Sequence, residues 1–320
     1  MLSVLRKGFD PYIAALFGTV VLASLLPARG DFAMAMGWLT DAAIVALFFL
    51  HGAKLSREAI LAGIGHWRLH IAVLAATFVL FPLLGLAISA IPGLPLVVAA
   101  GMLFLALLPS TVQSSIAFTA IAGGNVAGAV CSASFSNFVG IFLTPLLVAA
   151  LMGSSGAGPS VEAMERIVAQ LLLPFIAGHL LRPVVGGLLT RYKSLVGRVD
   201  RGSILLVVYT AFSAAVVEGL WHKVPAGQVG LMIVLSAVLL AAVMAATWYA
   251  GRAWFAREDA IVLFFCGSKK SLASGVPMAG VLFPAAQVGA IILPLMIFHQ
   301  IQLVVCAIVA RRLAEERNSG

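Results

Sequence analysis

The sequence predicts an all-α polytopic membrane protein: ten transmembrane helices in two inverted five-helix repeats, with broken, crossing helices 4 and 9. Three observations predict it. Hydrophobic residues make up 62% of the chain and charged residues 10%, against about 25% charge in a soluble domain. Apolar runs follow one another at the length, about 20 residues, that crosses the hydrocarbon of a bilayer. Finally, a polar run interrupts one such segment in each half: Pro109-Ser110-Thr111-Val112-Gln113-Ser114-Ser115, and Gly267-Ser268-Lys269-Lys270-Ser271 followed by Pro277. Such a break at membrane depth is tolerated only where protein or a wet cavity satisfies the freed backbone groups. Matched breaks in two halves point to a binding site at the membrane midplane.

In chain order the expected spans cover residues 10–26, 36–52, 69–90, 96–122 (broken), 126–151, 165–189, 203–220, 227–251, 259–282 (broken) and 287–310. Residues 1–152 form the first five-span repeat, 153–164 a linker opened by Gly153-Ser154-Ser155-Gly156, and 165–320 the second repeat. Arg6 and Lys7 precede the first apolar run, which reads as an uncleaved first helix, not a signal peptide. With the N-terminus inside, the inner loops hold Arg6, Lys7, Lys54, Arg57, Arg68, Arg182, Arg191, Lys193, Arg198, Arg201, Arg252, Arg257, Arg311, Arg312 and Arg317. The outer loops hold only Arg29, Arg166 and Lys223. That bias predicts both termini in the cytoplasm. An odd number of spans per half forces the second half to enter from the opposite face, and the broken segment is the fourth span of each. Compactness suggests a bacterial inner membrane.

The net charge of +8 lies in short loops, so it reports membrane orientation and implies no nucleic-acid partner. Cys131, Cys266 and Cys306 sit in apolar segments without metal-ligand or CxxC spacing, and read as free thiols. No HExxH, G-x-S-x-G or Walker A motif is present, which argues against an enzyme or an ATP-driven pump; no cofactor is expected.

Several segments resemble the bile acid:sodium symporter superfamily, in their order and spacing together. They are Phe48-Phe49-Leu50-His51-Gly52-Ala53-Lys54-Leu55, Phe81-Pro82, Leu108 to Ser115, Gly124-Asn125-Val126-Ala127, Thr144-Pro145-Leu146-Leu147, Phe265 to Ser271, and His299-Gln300. The resemblance spans nearly the whole chain. It is nearest to the divergent SBF-like branch that includes the vertebrate orphan seventh member. It implies a panel domain (spans 1, 2, 6 and 7), a core domain (spans 3–5 and 8–10), and import of organic anions, usually driven by sodium. The departures are specific. Sodium-coupled relatives carry a Ser-Asn pair where this chain has Ser114-Ser115, hydroxyls where it has Ala129 and Ala133, and glutamine where it has Thr77. Their second broken helix supplies a carboxylate and a glutamine, which align with Cys266 and Lys270.

A hard cation needs oxygen ligands, yet here two ammonium groups replace a carboxylate. Each lysine costs about 2.5–3.5 kcal/mol at mid-membrane, so an idle role is disfavoured. Either a lysine fills the electrostatic role of the sodium, or it binds the anion, or it carries a proton; the bland alternative is snorkelling to water. Adjacent residues point about 100° apart on a helix, so both face one spot only if the helix breaks there. The candidate substrate-binding set is Lys269, Lys270, Ser114, Ser115, Gln113, Thr111, Asn137, Ser268, Ser271, His299 and Gln300; a retained ion site would use Ser114, Ser115, Asn137 and Thr77. Serines and threonines also repair broken helices in membranes. Asn125 is a helix cap or a ligand. Gln302 shares a face with His299 as a relay or as interhelical glue. His51 and His179 read as interfacial, Asp41 and Glu218 as solvated span ends, and Trp38, Trp67, Trp221, Trp248 and Trp254 as interfacial anchors.

The expected function is secondary transport of a small organic anion by alternating access, with sodium or a proton as the possible coupling ion. The competing class is a non-transporting membrane regulator or sensor, for example of calcium handling. Span carboxylates are too few for the six to eight oxygens that calcium takes. Partners are the anion and the bilayer; the oligomeric state is open.

Overall fold

The computed structural model describes residues 11–54, 66–152 and 165–319. The expected linker 153–164 and the basic residues Arg6, Lys7 and Arg57 lie outside the described residues. Those described form helices and connecting turns, with no strand among them. They are α1 (Pro11–Leu25), α2 (Gly30–Lys54), α3 (Trp67–Ser89), α4 (Leu96–Leu107), α5 (Gln113–Ala122), α6 (Val126–Met152) and α7 (Glu165–Arg191). Next come α8 (Lys193–Val217), α9 (Leu220–Lys223), α10 (Ala226–Trp254), α11 (Arg257–Gly267), α12 (Leu272–Leu282) and α13 (Ala285–Ser319).

Seven of these, α2, α3, α6, α7, α8, α10 and α13, are long and apolar enough to cross a membrane. This is a multi-pass membrane protein. The other spans expected from sequence correspond to α1, 15 residues long, and to the pairs α4/α5 and α11/α12, of 10 to 12 residues each. At a rise of about 1.5 Å per residue neither member of a pair crosses the bilayer alone.

The chain divides into two compact units, each drawn from both halves of the sequence. Unit 1 comprises residues 1–55, 155–225 and 276–292; unit 2 comprises 56–154, 226–275 and 293–320. Within unit 1, α2 and α7 cross in close contact: the space a Cβ would need at Gly52 is taken by the Phe175 carbonyl, and at Gly178 by that of Phe49. The C-terminal end of α2 is tied to α8 by an ion pair between Lys54 and Asp200 at 2.6 Å, with His51 at 3.4 Å from the same carboxylate. The eighth helix begins at Lys193, not near residue 203, because a helix that leaves the bilayer carries its charged residues into water without ending.

Two prolines shape the helices of unit 2. Pro82 has no N–H and would clash with a carbonyl one turn back. Helix α3 accommodates it with a π turn at Ala76–Leu80, in which the Phe81 N–H reaches the Ala76 carbonyl. The Thr77 carbonyl is thereby left over, since Phe81 is already spent and Pro82 has no hydrogen to offer. Pro109 similarly ends α4, and the chain runs without helix to Val112 before α5 starts.

Candidate functional site

The breaks at 108–112 and 268–271 satisfy one another, and following their backbone groups shows how. The Leu105 carbonyl takes the Leu108 N–H at 3.4 Å, and that of Leu107 takes the Thr144 hydroxyl at 2.9 Å. The Pro109 carbonyl accepts the Ser271 N–H at 2.9 Å, and the Ser110 carbonyl accepts Asn137 Nδ2 at 2.6 Å. From the other break, the Cys266 carbonyl accepts Ser110 Oγ at 2.5 Å, that of Phe265 accepts Ser115 Oγ at 3.2 Å, and that of Phe264 accepts Ser268 Oγ at 2.5 Å. This leaves the carbonyls of Ala106 and Leu108, which α4 cannot pair because it stops.

Lys270 takes both, and the leftover Thr77 carbonyl as well. Its Nζ donates to Thr77 O at 2.8 Å, Ala106 O at 2.8 Å and Leu108 O at 2.6 Å. Three acceptors match the three N–H donors of an ammonium. The Phe81 ring lies beneath the charge, 4.2 Å from centroid to Nζ, an added cation–π attraction. The Lys270 backbone is clamped by Gln302, whose Oε1 accepts its N–H at 2.9 Å and whose Nε2 donates to its carbonyl at 2.9 Å. The same amide reaches His299 Nδ1 at 2.8 Å.

Lys269 turns the other way, which an unbroken helix would also impose on neighbours. Its Nζ lies 4.5 Å from the Phe118 centroid and 5.6 Å from that of Phe265, and donates one long hydrogen bond, 3.4 Å, to Ser114 Oγ. Both lysines are 0% exposed, so the snorkelling alternative is wrong: the polar nest makes burial tolerable where lipid would not. Among the described residues no carboxylate pairs with either lysine.

The candidate set therefore divides. Lys269, Lys270, Ser114, Ser115, Thr111, Asn137, Ser268, Ser271 and Thr77 converge on the two breaks. Thr111 Oγ1 shares hydrogen bonds with Ser114 and Ser115 at 2.9 Å each, and Asn137 Oδ1 accepts Ser274 Oγ, itself bonded to Ser271. His299 joins at one remove, through Gln302. Gln113 stands exposed at the start of α5, and half-buried Gln300 makes none of these contacts. Asn125 caps α6, its Oδ1 accepting the Gly128 N–H at 2.9 Å while Nδ2 donates to Asp259. Gln302, read from sequence only as a neighbour of His299, is the residue the candidate set lacks. A glutamine amide in an apolar span, opposite a segment with unpaired N–H and C=O groups, was the available signal.

Residues 10–315 match the SBF-like CPA transporter family. The chain belongs to that family. Among its relatives is the Escherichia coli (strain K12) protein named "Putative symporter YfeH", 56% identical over 306 residues, which span 95% of this chain and 92% of that protein. A Pseudomonas aeruginosa relative named "Uncharacterized protein PA2026" is 55% identical over 97% of this chain and 95% of its own length. "Sodium/bile acid cotransporter 7" of Danio rerio is 27% identical over 83% of this chain and 81% of its length. Membership of the SBF-like branch, legible in the ordered motifs, is thus shown across nearly the whole chain. The family is one of transporters, so a small-molecule substrate and a lipid bilayer are its natural partners.

Proposed function

We propose that this protein is a secondary transporter of a small organic anion, working by alternating access without sodium. Its ten spans would form two inverted five-span repeats, with both termini in the cytoplasm of a bacterial inner membrane. One observation carries the preference for an anion: two buried ammonium groups stand where the broken helices meet, and no carboxylate of the described residues offsets them. A site of net positive charge in low dielectric calls for a negative ligand. Lys269 is the group to meet it, because the protein supplies only one long hydrogen bond to its three donors. The substrate set is accordingly Lys269 with Ser114, Thr111 and Ser115, while Asn137, Ser268, Ser271 and Lys270 hold the breaks together.

The donor set does not fit sodium as the sodium-coupled pattern would hold it. Ala129, Ala133 and Cys266, at positions which that pattern fills with oxygen ligands, belong to one buried apolar cluster with Leu69, Val73, Ala76, Val262 and Leu263. The Lys270 ammonium, held by three backbone carbonyls, is itself a cation fixed to the chain. We assign it the electrostatic work that a bound sodium does elsewhere in the superfamily.

Counterflow across proteoliposomes tests the reading and separates a carrier from a non-transporting sensor. Vesicles loaded with an unlabelled carboxylate, sulfonate or phosphate ester should accumulate the same labelled anion, and Lys269→Gln should reduce the exchange by about tenfold or more. Exchange of none of these anions by the wild type would refute the assignment.

A further inference from the structure

The two lysines differ in what their surroundings ask of them, a difference that deepens the anion-carrier reading and depends on it. Lys270 faces three carbonyl oxygens, which can only accept; a neutral amine there would leave one acceptor unpaired against its own lone pair. Lys269 faces groups that suit both protonation states. The Ser114 hydroxyl can accept from an ammonium or, by rotating, donate to an amine, and Thr111 at 2.9 Å can complete either arrangement. Aromatic faces attract the charge without requiring it. The titratable groups that reach Lys269 are the thiols of Cys266 on α11 and Cys306 on α13, with Lys270 next in the chain turned away. Around the end of α11, α3, α6 and α10 contribute Ala76, Ala133 and Thr247, and α5 contributes Phe118, none of which titrates. The titratable groups that these elements and α13 carry nearby are His70, bonded to Ser132, the buried thiol of Cys131, and His299, bonded to Gln302.

We propose that Lys269 carries a proton together with the anion, so that the protein is an anion:proton symporter. The protonated amine binds the anion from outside. On the inner side the anion leaves and the ammonium gives its proton to water. The neutral amine, with Ser114 donating to it, returns through the buried position and takes a new proton outside. Charge balances, since for a monovalent anion the loaded and empty sites differ by no net charge. An ammonium returning without an anion would cross buried and unmatched, at the cost that buried unpaired charge incurs.

The test uses full-length protein in proteoliposomes holding a pH indicator, with labelled benzoate, taurocholate and phenyl phosphate as probes. Any anion that exchanges in counterflow should also acidify the vesicle interior as it enters, and its net uptake should follow an inward proton gradient. The decisive variant is Lys269→Arg, whose guanidinium stays charged. It should lose proton-driven net uptake, and whatever anion exchange it retains should be indifferent to the pH gradient. Wild-type protein that moves an anion without a proton would overturn the proposal, as would Lys269→Arg protein that keeps proton-driven accumulation. If the bulkier side chain prevents folding, the wild-type proton measurement decides alone. Absence of counterflow with every anion would instead refute the carrier reading beneath it, so the two failures are distinguishable.

Discussion

Lys270 and Lys269 are adjacent, equally buried and chemically identical, yet the structure gives them different work. Removing the Lys270 ammonium strands three carbonyls, and each unsatisfied buried acceptor costs about 1–3 kcal/mol. Lys270→Met should therefore lower the melting temperature far more than Lys269→Met, which removes one long bond from a serine hydroxyl that Thr111 already holds. Equal losses in a thermal melt of the two purified variants would contradict the division of roles. Gln302→Leu removes both clamps on the Lys270 backbone, and should cost about 2–5 kcal/mol in chemical denaturation; a change under about 0.5 kcal/mol would mean that the break holds itself. The presence of the lysines was legible in the sequence. Which one points where was not, because helical periodicity stops at a break and the direction of each side chain is set by acceptors on other helices.

At the scale of elements, prolines make the site by making acceptors. Pro109 ends α4 and frees its last carbonyls; Pro82 forces a π turn in α3 and frees that of Thr77. Hydroxyls repair the remainder, as Thr144 does for Leu107. Thr144→Val should destabilise by about 1–3 kcal/mol, whereas Thr144→Ser, which keeps the hydroxyl, should stay within about 0.5 kcal/mol. A valine variant as stable as wild type would show that the Leu107 carbonyl has another partner. The two breaks were legible because polar runs stand out in apolar spans. The π turn was not, since a single-residue shift in register over Ala76–Leu80 leaves the apolar pattern of α3 unchanged. Nor was the N-terminal extension of α8, where Arg198 and Arg201 read as loop although the helix runs from Lys193 and its Asp200 is tied to Lys54.

At the scale of the whole molecule, composition and span length made the membrane class plain, and ordered motifs made the family plain. The two compact units were less legible, because each is assembled from segments far apart in the chain. The proposed carrier differs from its sodium-coupled relatives in one piece of physics: a cation tethered at Lys270 replaces a cation taken from solution. Anything that binds the folded state raises its stability in a saturable way. The most direct measurement is the melting temperature of purified protein against sodium concentration, with choline chloride holding ionic strength constant, at two pH values. A tethered cation predicts superimposable curves in sodium and choline at both. A saturable rise specific to sodium would contradict it, and would place a second cation site in a protein that already carries one on Lys270.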